Sequence, residues 1–448
     1  MRAPPTTFEI FEELALSAPR QPALRDPDGV LDYGQLHAVL VQCGLALQRL
    51  GVRRGQRVAI SGPGFGLQLA LLLAAESLGA TTASFQAEND SDAPFLFRQV
   101  DWVFSGVPQQ VPEGVRFHLT DQAFASQLAR PLGAERPAWS PLALHEPQRI
   151  TRTSGSSGRS KFIVLSRGAQ EQWLANGTEK RTYLPGARLL VLGPFVMNAA
   201  LVRSSTCLRR GAMVIGPDTG LSVPDLDPTH IWGLPLHLEA LLRTLPPGWV
   251  SPHPVDVALV GGAMSERLRA DAARVFGGWI KNRYGSNETG GICEEIDADG
   301  VGLLCAGTEV RILGPQGEDL PAGETGTIAL RTAMMADGYL GLPEENAAAF
   351  RDGWFISNDV GAMVGHRRLR LLGRRDDLVN IGGIKVAASQ IEARIAAQPG
   401  IADCVLQAVH LDGGAVTLGV ALVPAPGTSA AEATVAMRDA MQLPADVT

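Results

Sequence analysis

The stretch from Thr151 to Lys161 combines the residue types that bind phosphate. Its sequence, TRTSGSSGRSK, places glycines and hydroxyl side chains ahead of a lysine. Glycine weakens helices and strands, and Ser and Thr offer the backbone competing hydrogen bonds, so the stretch is predicted to be a loop. Backbone N–H groups, hydroxyls and a lysine charge can together surround an anion, which predicts a polyphosphate cradle.

The spacing in this loop differs from that of the P-loop nucleotidases. Gly158 is followed by Arg159 and Ser160 before Lys161, so the pattern G-x-x-x-x-G-K-[ST] is not met. An ordinary P-loop nucleotidase is therefore disfavoured. A flexible Gly/Ser linker between domains is the alternative interpretation of the same stretch.

The elements that must position this loop alternate between helix and strand. Val58–Ile60 is predicted to be a strand, Leu67–Leu78 a helix and Gly79-Ala80 its end before a further extended segment. This βαβ pattern predicts an α/β fold. The apolar run Leu67–Ala75 is much shorter than a membrane span, which predicts a buried helix.

Composition and charge narrow the class of protein. The chain has 448 residues, 45% of them hydrophobic, which predicts roughly two to four structural units. Its 39 basic and 46 acidic residues give a net charge of −7, so no basic surface indicates a nucleic acid or an anionic membrane as partner.

The cysteines and the N-terminus indicate the compartment. The five cysteines are odd in number, scattered and without a C-x-x-C pair, as is typical of reduced thiols. The first residues, MRAPPTTFEIFEE, contain no apolar signal core. We therefore expect a cytoplasmic protein.

The phosphate-binding stretch resembles a known loop. Its core, Thr153-Ser-Gly-Ser-Ser-Gly-x-x-Lys161, is similar to the phosphate loop of the adenylate-forming superfamily, which holds acyl-CoA synthetases, aryl-acid and amino-acid adenylating enzymes and luciferases. The resemblance implies catalytic roles for Thr153 and Lys161. It also implies that ATP contacts the residues between them, namely Ser154, Gly155, Ser156, Ser157 and Gly158.

A second segment resembles the adenine and metal signature of the same superfamily. Tyr284-Gly285-Ser286-Asn287-Glu288 is similar to Tyr-Gly-x-Thr-Glu, in which the ring stacks on adenine and the carboxylate holds Mg²⁺. Asn287 stands where the superfamily has a threonine whose hydroxyl donates to the α-phosphate. Either the longer Asn amide alters that geometry, or Ser286 or Thr289 compensates.

Three further segments resemble the parts of the superfamily that hold adenosine. The strand ending in Gly261, Gly262 and Ala263 is similar to the wall beside adenine, because small residues let backbone approach a flat ring. Gly-Trp-Phe-Ile-Ser-Asn-Asp359 is similar to the segment whose aspartate accepts the ribose hydroxyls. The segment Gly373–Val386 is similar to the superfamily's domain junction, which implies that Arg374 reaches the ribose or the phosphates and that Asp376 is the hinge.

The acid pocket is implied by the segment Pro194–Asn198. Phe195, Met197 and Asn198 match a segment that lines the pocket in relatives, with Met197 where histidine is common. A methionine there can also be simple filler of an apolar pocket. Gly290 and Gly291 complete the predicted acid contacts. The resemblance implies an apolar or aromatic monocarboxylate.

The resemblance also implies a division into domains. Residues 1–373 match the large N-terminal domain, which the resemblance implies is built of doubly wound sheets, with a β-rich subdomain, expected as a small β-barrel, over about 307–373. Residues 374–448 match the small α+β C-terminal domain. In relatives this small domain carries, near its end, a Gly-Lys pair whose lysine bridges carboxylate and phosphate during adenylation. No Gly-Lys pair follows Lys385 here. We therefore expect either a chain that is cut short before that lysine or an enzyme that naturally lacks it.

Three functions remain open from the sequence. The first is an AMP-forming ligase that uses ATP and Mg²⁺ to convert a carboxylic acid into acyl-AMP and transfers the acyl group to coenzyme A. The second changes the acceptor to the phosphopantetheine arm of an acyl carrier protein, or to an amine. The third is a nucleotide-binding homologue with impaired catalysis, motivated by Asn287, Met197 and the absent lysine.

Overall fold

The computed structural model describes most of the chain. The described residues are 4–128, 131–153, 160–175, 183–297, 299–375, 378–381, 384–387, 391–392, 395, 398–410 and 416–441.

Two large sheets with parallel centres form the frame. The strands of this frame and of its extensions are β1 Pro22–Asp26, β2 Gly29–Asp32, β3 Arg57–Ser61, β4 Thr81–Ser84, β5 Trp102–Ser105, β6 Arg116–Leu119, β7 Pro147–Thr153, β8 Lys161–Ser166, β9 Arg188–Val191, β10 Met213–Ile215, β11 His230–Gly233, β12 Val255–Val260, β13 Gly277–Ser286, β14 Gly290–Glu294, β15 Val301–Leu304, β16 Glu309–Leu313, β17 Gly326–Arg331, β18 Gly338–Tyr339, β19 Phe350–Arg351, β20 Trp354–Gly365, β21 Arg368–Arg374, β22 Leu378–Ile381, β23 Ile384–Ala387, β24 Ile401–His410 and β25 Val416–Pro424.

The helices connect these strands. They are α1 Thr7–Ser17, α2 Tyr33–Leu50, α3 Phe65–Ser77, α4 Ala93–Phe97, α5 Gln122–Leu128, α6 Arg167–Ala175, α7 Asn198–Arg209, α8 Val223–Leu226, α9 Pro235–Thr244, α10 Glu266–Phe276, α11 Pro343–Ala349 and α12 Ala430–Met441. Local sequence fixes several ends. The Asp32 side chain and Gln35 form a capping box at the start of α2, and Gly51 ends it in the left-handed conformation.

The smaller frame sheet carries the start of the phosphate loop. Its order is β18-β8-β7-β4-β3-β5-β6. Strands β7, β4, β3, β5 and β6 run parallel, whereas β8 turns back antiparallel to β7. Thr153 at the end of β7 lies opposite Lys161 at the start of β8. The predicted loop is therefore anchored at both ends by one strand pair.

The larger sheet changes character along its length. Strands β1, β10, β9, β11, β12 and β13 are parallel neighbours in that order. Beyond β13 the sheet continues through antiparallel neighbours in the order β14, β15, β21, β20, β17 and β16. The predicted α/β class is confirmed. Among the described residues the β-rich segment extends this sheet as an open antiparallel path, and its pairings do not close into the expected barrel.

Helix α3 is buried against both frame sheets. Every residue from Leu69 to Ala75 is buried, because this helix is apolar on all sides. It shares a core cluster with α2, β3 and β9. The predicted buried helix is confirmed, and no helix in the described ranges is long and apolar enough to cross a membrane.

Candidate active site

A cavity of about 2180 Å³ opens at the carboxyl ends of β11, β12 and β13. Ligands bind at this edge of parallel sheets because the loops that follow the strands converge there. The cavity wall includes Leu234 after β11, Gly261 after β12 and Tyr284 within β13. Residues of the β-rich extension, Asp359 and Arg374, complete the same cavity.

We call Gly261, Gly262, Ala263, Tyr284, Asp359 and Arg374 the nucleotide wall. The Tyr284 hydroxyl donates a hydrogen bond to the Asp359 carboxylate, and Arg374 Nε lies 3.9 Å from Asp359 Oδ1. Asp359 and Arg374 are direct cross-strand partners in β20 and β21, so backbone register fixes this contact. Burial, followed by the Asp359 charge, raises the pKa of Tyr284. The phenol therefore stays a donor that orients the carboxylate.

Gly261 lets a ligand ring come close to the backbone of the nucleotide wall. Its φ is +84°, and a Cβ built there would lie 2.9 Å from Leu234 Cδ2. A side chain would therefore be strained both by the backbone conformation and by this contact. The glycine keeps this edge of the cavity flat, as a planar ring requires.

Glu288 supplies a buried carboxylate to the cavity. Its side chain is only 8% exposed and accepts a hydrogen bond from the Tyr339 hydroxyl at 3.2 Å. Burial raises the pKa of Glu288, while hydrogen bonds from Ser286, Tyr339 and Thr153 oppose that rise. A desolvated carboxylate is a costly group that a bound cation would stabilise.

The residues around Glu288 suit Mg²⁺. Within the described part of the chain no cluster of three or more His, Cys, Asp or Glu side chains could hold a metal alone. Mg²⁺ commonly uses one or two carboxylates and takes its remaining oxygens from water and substrate phosphates. Glu288 and the buried Thr153 hydroxyl offer the oxygen donors that such a site needs.

Lys161 packs on the ring of Tyr339, the residue that bonds Glu288. Its ammonium is 4.7 Å from the centre of the Tyr339 ring, whose hydroxyl bonds Glu288. The tyrosine thus links the predicted phosphate lysine to the predicted metal ligand. The loop residues between Thr153 and Lys161, and the predicted hinge, lie outside the described residues; they are Ser154, Gly155, Ser156, Ser157, Gly158 and Asp376.

Asn287 is held by the strand that leads into the phosphate loop. Its Nδ2 donates to the Arg152 carbonyl at 2.7 Å, one residue before Thr153. Ser286 and Thr289 share a hydroxyl–hydroxyl bond of 3.0 Å. Gly285 is required beside them, because a Cβ there would lie 2.6 Å from the Gly290 carbonyl oxygen.

We call Trp173, Met197, Trp232, Gly290, Gly291 and Met334 the acid wall. All of these residues line the cavity. Gly193 lets two of them meet, since a Cβ there would lie 3.0 Å from Trp232 and 3.1 Å from Met197 Sδ. Of the predicted acid contacts, Met197, Gly290 and Gly291 therefore reach the cavity.

Two predicted acid contacts lie behind the acid wall. Asn198 is fully buried, and its amide forms reciprocal bonds of 2.9 and 3.2 Å with Gln170 on α6. Phe195 is 1% exposed and packs on Phe65 with ring centres 4.4 Å apart. Their direct contact with a substrate stays a prediction, and the described geometry assigns both a backing position.

Sequence reasoning missed several residues of the cavity. Trp173 on α6, Arg203 on α7 and Trp232 on β11 line it together with Met197. Trp173 is fixed by an indole bond to the Met334 carbonyl at 3.1 Å. Trp232 precedes Gly233 at a strand end, which is a signal that could have identified it; the two helix residues carry no comparable signal.

Comparison with protein families gives one match. Residues 11–340 match the model of the AMP-binding enzyme family. A feruloyl-CoA synthase of Amycolatopsis sp is 28% identical over 437 residues, which cover 87% of this chain and 83% of that protein. A 3-hydroxybenzoate–CoA ligase of Aromatoleum sp. (strain CIB) is 27% identical over 453 residues, which cover 93% of this chain and 85% of that protein.

Comparison with solved structures agrees with the family match on the fold. ATP-bound MatB from Rhodopseudomonas palustris superposes with a TM-score of 0.84 at 22% identity, covering 99% of this chain and 94% of MatB. The o-succinylbenzoate CoA synthetase MenE from Bacillus subtilis, in complex with its acyl-adenylate, gives a TM-score of 0.80 at 19% identity, covering 97% of this chain and 92% of MenE.

Proposed function

This chain belongs to the AMP-binding enzyme family, and on that premise we propose that it joins an aryl or other apolar monocarboxylic acid to coenzyme A through an acyl-AMP intermediate. One observation carries the proposal: the nucleotide wall, the buried Glu288 carboxylate and the acid wall all border one cavity. An enzyme that joins an acid to AMP needs both substrates at a single site.

The first half-reaction brings the acid to ATP. A carboxylate oxygen attacks the α-phosphorus, the bond from that phosphorus to the β-phosphate bridging oxygen breaks, and pyrophosphate leaves with the electron pair. Asp359 accepts hydrogen bonds from the ribose hydroxyls, oriented by Tyr284 and Arg374. Lys161 and the loop before it offset charge on the phosphates.

Glu288 holds the divalent ion in this proposal. Bound Mg²⁺ supplies positive charge to the phosphate oxygens, where negative charge builds up during transfer. Glu288, with the Thr153 hydroxyl beside it, fixes the place where that charge is available. Tyr339 keeps the Glu288 carboxylate oriented.

The second half-reaction forms the thioester. The thiol sulfur attacks the acyl carbon, the bond from that carbon to the AMP oxygen breaks, and the thiol proton passes to solvent. Coenzyme A is the proposed acceptor, supported by the relatives named as CoA ligases. We also propose that residues 374–448 form a separate small domain that turns about Asp376 between the two half-reactions.

The acid wall supports an apolar acid. Trp173, Met197, Trp232 and Met334 provide aromatic and thioether surface, which suits the ring or chain of a hydrophobic carboxylate.

The five cysteines are free and buried. Free thiols support a location in the reducing cytoplasm.

Pyrophosphate release measured against a panel of acids tests this function. The panel contains benzoates, cinnamates and straight-chain fatty acids, each with ATP and Mg²⁺, and with coenzyme A, phosphopantetheinyl carrier protein or no thiol. We expect acid-dependent pyrophosphate release and acyl-CoA product. Product only with the carrier protein would replace the acceptor, and no acid-dependent release with any acid would overturn the proposal.

A further inference from the structure

One face of β7 carries three buried polar residues at alternate positions. Arg149 is fully buried, Thr151 is 3% exposed and Thr153 is 6% exposed. Side chains two apart in a strand point to the same face. The strand therefore presents a line of hydrogen-bonding groups that ends where the phosphate loop begins.

Arg149 bonds several groups around it. One terminal nitrogen donates to the Phe195 carbonyl at 2.7 Å and to Ser84 Oγ at 2.8 Å, and the other donates to Thr82 Oγ1 at 3.1 Å. The partly buried Glu76 carboxylate provides the opposite charge, and it accepts hydrogen bonds from Thr82 and Gln148. The guanidinium thus joins polar groups of α3 and β4 to the Pro194–Met197 segment, which contributes Met197 to the acid wall.

Thr151 repeats this contact one residue further along. Its hydroxyl donates to the Val196 carbonyl at 3.4 Å, a long and therefore weak bond. Phe195 and Val196 directly precede Met197, which lines the cavity. Strand β7 consequently holds the two peptide groups that set where Met197 stands.

A buried guanidinium is a costly way to fill space. An arginine taken out of water is tolerated only with an opposite charge and several acceptors, and a hydrophobic residue of similar volume often serves stability as well or better. What the guanidinium adds is geometry, because its planar donors bond several acceptors in fixed directions. In this network the Phe195 carbonyl is the acceptor that lies outside the smaller sheet, in the segment just before Met197.

We propose that Arg149 is a positioning residue that sets the acid wall by holding the Pro194–Met197 segment against β7, with Thr151 in a minor supporting role. The proposal rests on the proposed function, since it concerns binding of the acid. It assigns no contact between Arg149 and the substrate. A change at Arg149 is therefore expected to alter KM for the acid but not KM for ATP.

The first experiment compares R149M and R149K with R167M. Arg167 is a matched control: it is also buried and donates to backbone carbonyls, those of Leu142 and Pro4, at 2.6 and 2.5 Å. Loss of a charge-assisted bond predicts a rise of about tenfold or more in KM for the acid in R149M, with KM for ATP within about twofold. R149K keeps the positive charge but replaces the planar guanidinium and its several donors with one ammonium group, so an intermediate KM for the acid is expected.

A second pair of variants keeps the test intact if R149M does not fold. T151V removes only the hydroxyl that reaches Val196, and T81V removes an equally buried hydroxyl that bonds the Pro147 carbonyl at 2.8 Å, away from the acid wall. We expect T151V to raise KM for the acid by about twofold, in keeping with a weak bond, and T81V to leave it unchanged.

The outcomes separate this inference from the proposed function. A wild-type enzyme that activates no acid overturns both. An active wild type whose R149M variant changes both KM values equally, or behaves like R167M, overturns the positioning role alone. If R149M is insoluble, equal KM values for the acid in T151V and T81V overturn it instead.

Discussion

The nucleotide wall and the acid wall of this cavity are built in different ways. The nucleotide wall depends on strands: Asp359 and Arg374 are register partners, and Tyr284 reaches the same carboxylate from β13. The acid wall gathers side chains from the helix α6, strand β11 and the segment before α7. Its support comes from contacts such as Asn198 with Gln170 and Arg149 with Phe195.

This difference separates what is fixed by backbone from what is fixed by packing. Hydrogen-bonded register places Asp359 opposite Arg374 whatever the neighbouring side chains are. The position of Met197 depends on which side chains fill the space behind it. We therefore expect changes behind the acid wall to alter acid selection, and changes in the nucleotide wall to alter ATP binding alone.

The largest expected effect comes from Glu288, which lines the same cavity as both walls. Glu288→Gln removes the charge that holds the divalent ion, so adenylation should fall by about 10²- to 10³-fold, as when other transition-state contacts are lost. A buried amide is cheaper than a buried carboxylate, so the melting temperature should not fall. Rapid-quench measurement of pyrophosphate release, with melting curves as control, checks both; near wild-type activity would remove Glu288 from the metal site.

The next effect isolates the nucleotide wall. Asp359→Ala removes the acceptor of the ribose hydroxyls, and the loss of charge-assisted bonds predicts a rise in KM for ATP of about 10- to 100-fold, with little change in KM for the acid. Asp319→Asn is the control, because Asp319 forms a paired contact with Arg311 on the exposed surface of the same β-rich segment. If ATP affinity and acid-dependent pyrophosphate release are unchanged in D359A, the ribose assignment is wrong.

A smaller effect tests the backing of the acid wall. Asn198→Ala leaves the buried Gln170 amide without its partner, which predicts a loss of about 1–3 kcal/mol in the free energy of unfolding. Gln170→Ala should cost the same, because both variants break one reciprocal pair. Chemical denaturation measures the loss. A change in acid preference in N198A that Q170A does not share would show that Asn198 contacts the substrate directly.

The smallest expected effect is a pH dependence of ATP binding. His237 Nδ1 accepts the Leu234 N–H at 3.4 Å when the ring is neutral, and burial lowers the pKa of His237 below its ordinary value of 6.5. Because the pKa of His237 is lower in the folded protein than in the unfolded chain, the neutral ring's contribution to folding stability is complete above the ordinary pKa. That contribution is lost as pH falls from the ordinary pKa through the lower pKa of the folded state.

Leu234 lines the cavity beside Gly261 of the nucleotide wall, so this loss should reach ATP binding. We expect KM for ATP to rise by about twofold as pH falls through the lowered pKa of His237, below the ordinary value of 6.5, and the rise to be smaller in His237→Gln, whose amide oxygen can still accept. KM for the acid, measured in the same series, should stay level. A rise of equal size in H237Q would exclude His237 as the cause.

All residues of the nucleotide wall were singled out from the sequence and line the cavity, whereas Trp173, Trp232 and Met334 of the acid wall were not singled out. Tyr284 and Asp359 stand in short segments that resemble signatures of the superfamily, so each could be identified locally, and their contacts with a nucleotide stay a prediction. Trp173 and Arg203 lie on helices with no local sign of which face meets the cavity. The buried amide pair of Gln170 and Asn198 joins residues of two helices, so its partner could not be deduced from the residues around either one.

The fold followed the same division. Alternation of apolar strands and helices predicted the parallel frame, and the all-apolar α3 predicted a buried helix. The route of the antiparallel strands from β14 to β21 depends on pairings distant in sequence, such as β15 with β21. Turn residues bound those strands but do not specify their order. The small barrel was expected from the family resemblance, whereas the strand pairings of the described residues form an open path.

The most direct test of the central claim is the identity of the nucleotide product. We would incubate the enzyme with ATP, Mg²⁺, coenzyme A and an acid identified in the panel, and separate the nucleotides by chromatography. One AMP and one pyrophosphate for each acyl-CoA formed is the predicted result, because attack at the α-phosphorus leaves no other pair of products. ADP and phosphate, or AMP formed without dependence on the acid, would contradict the account.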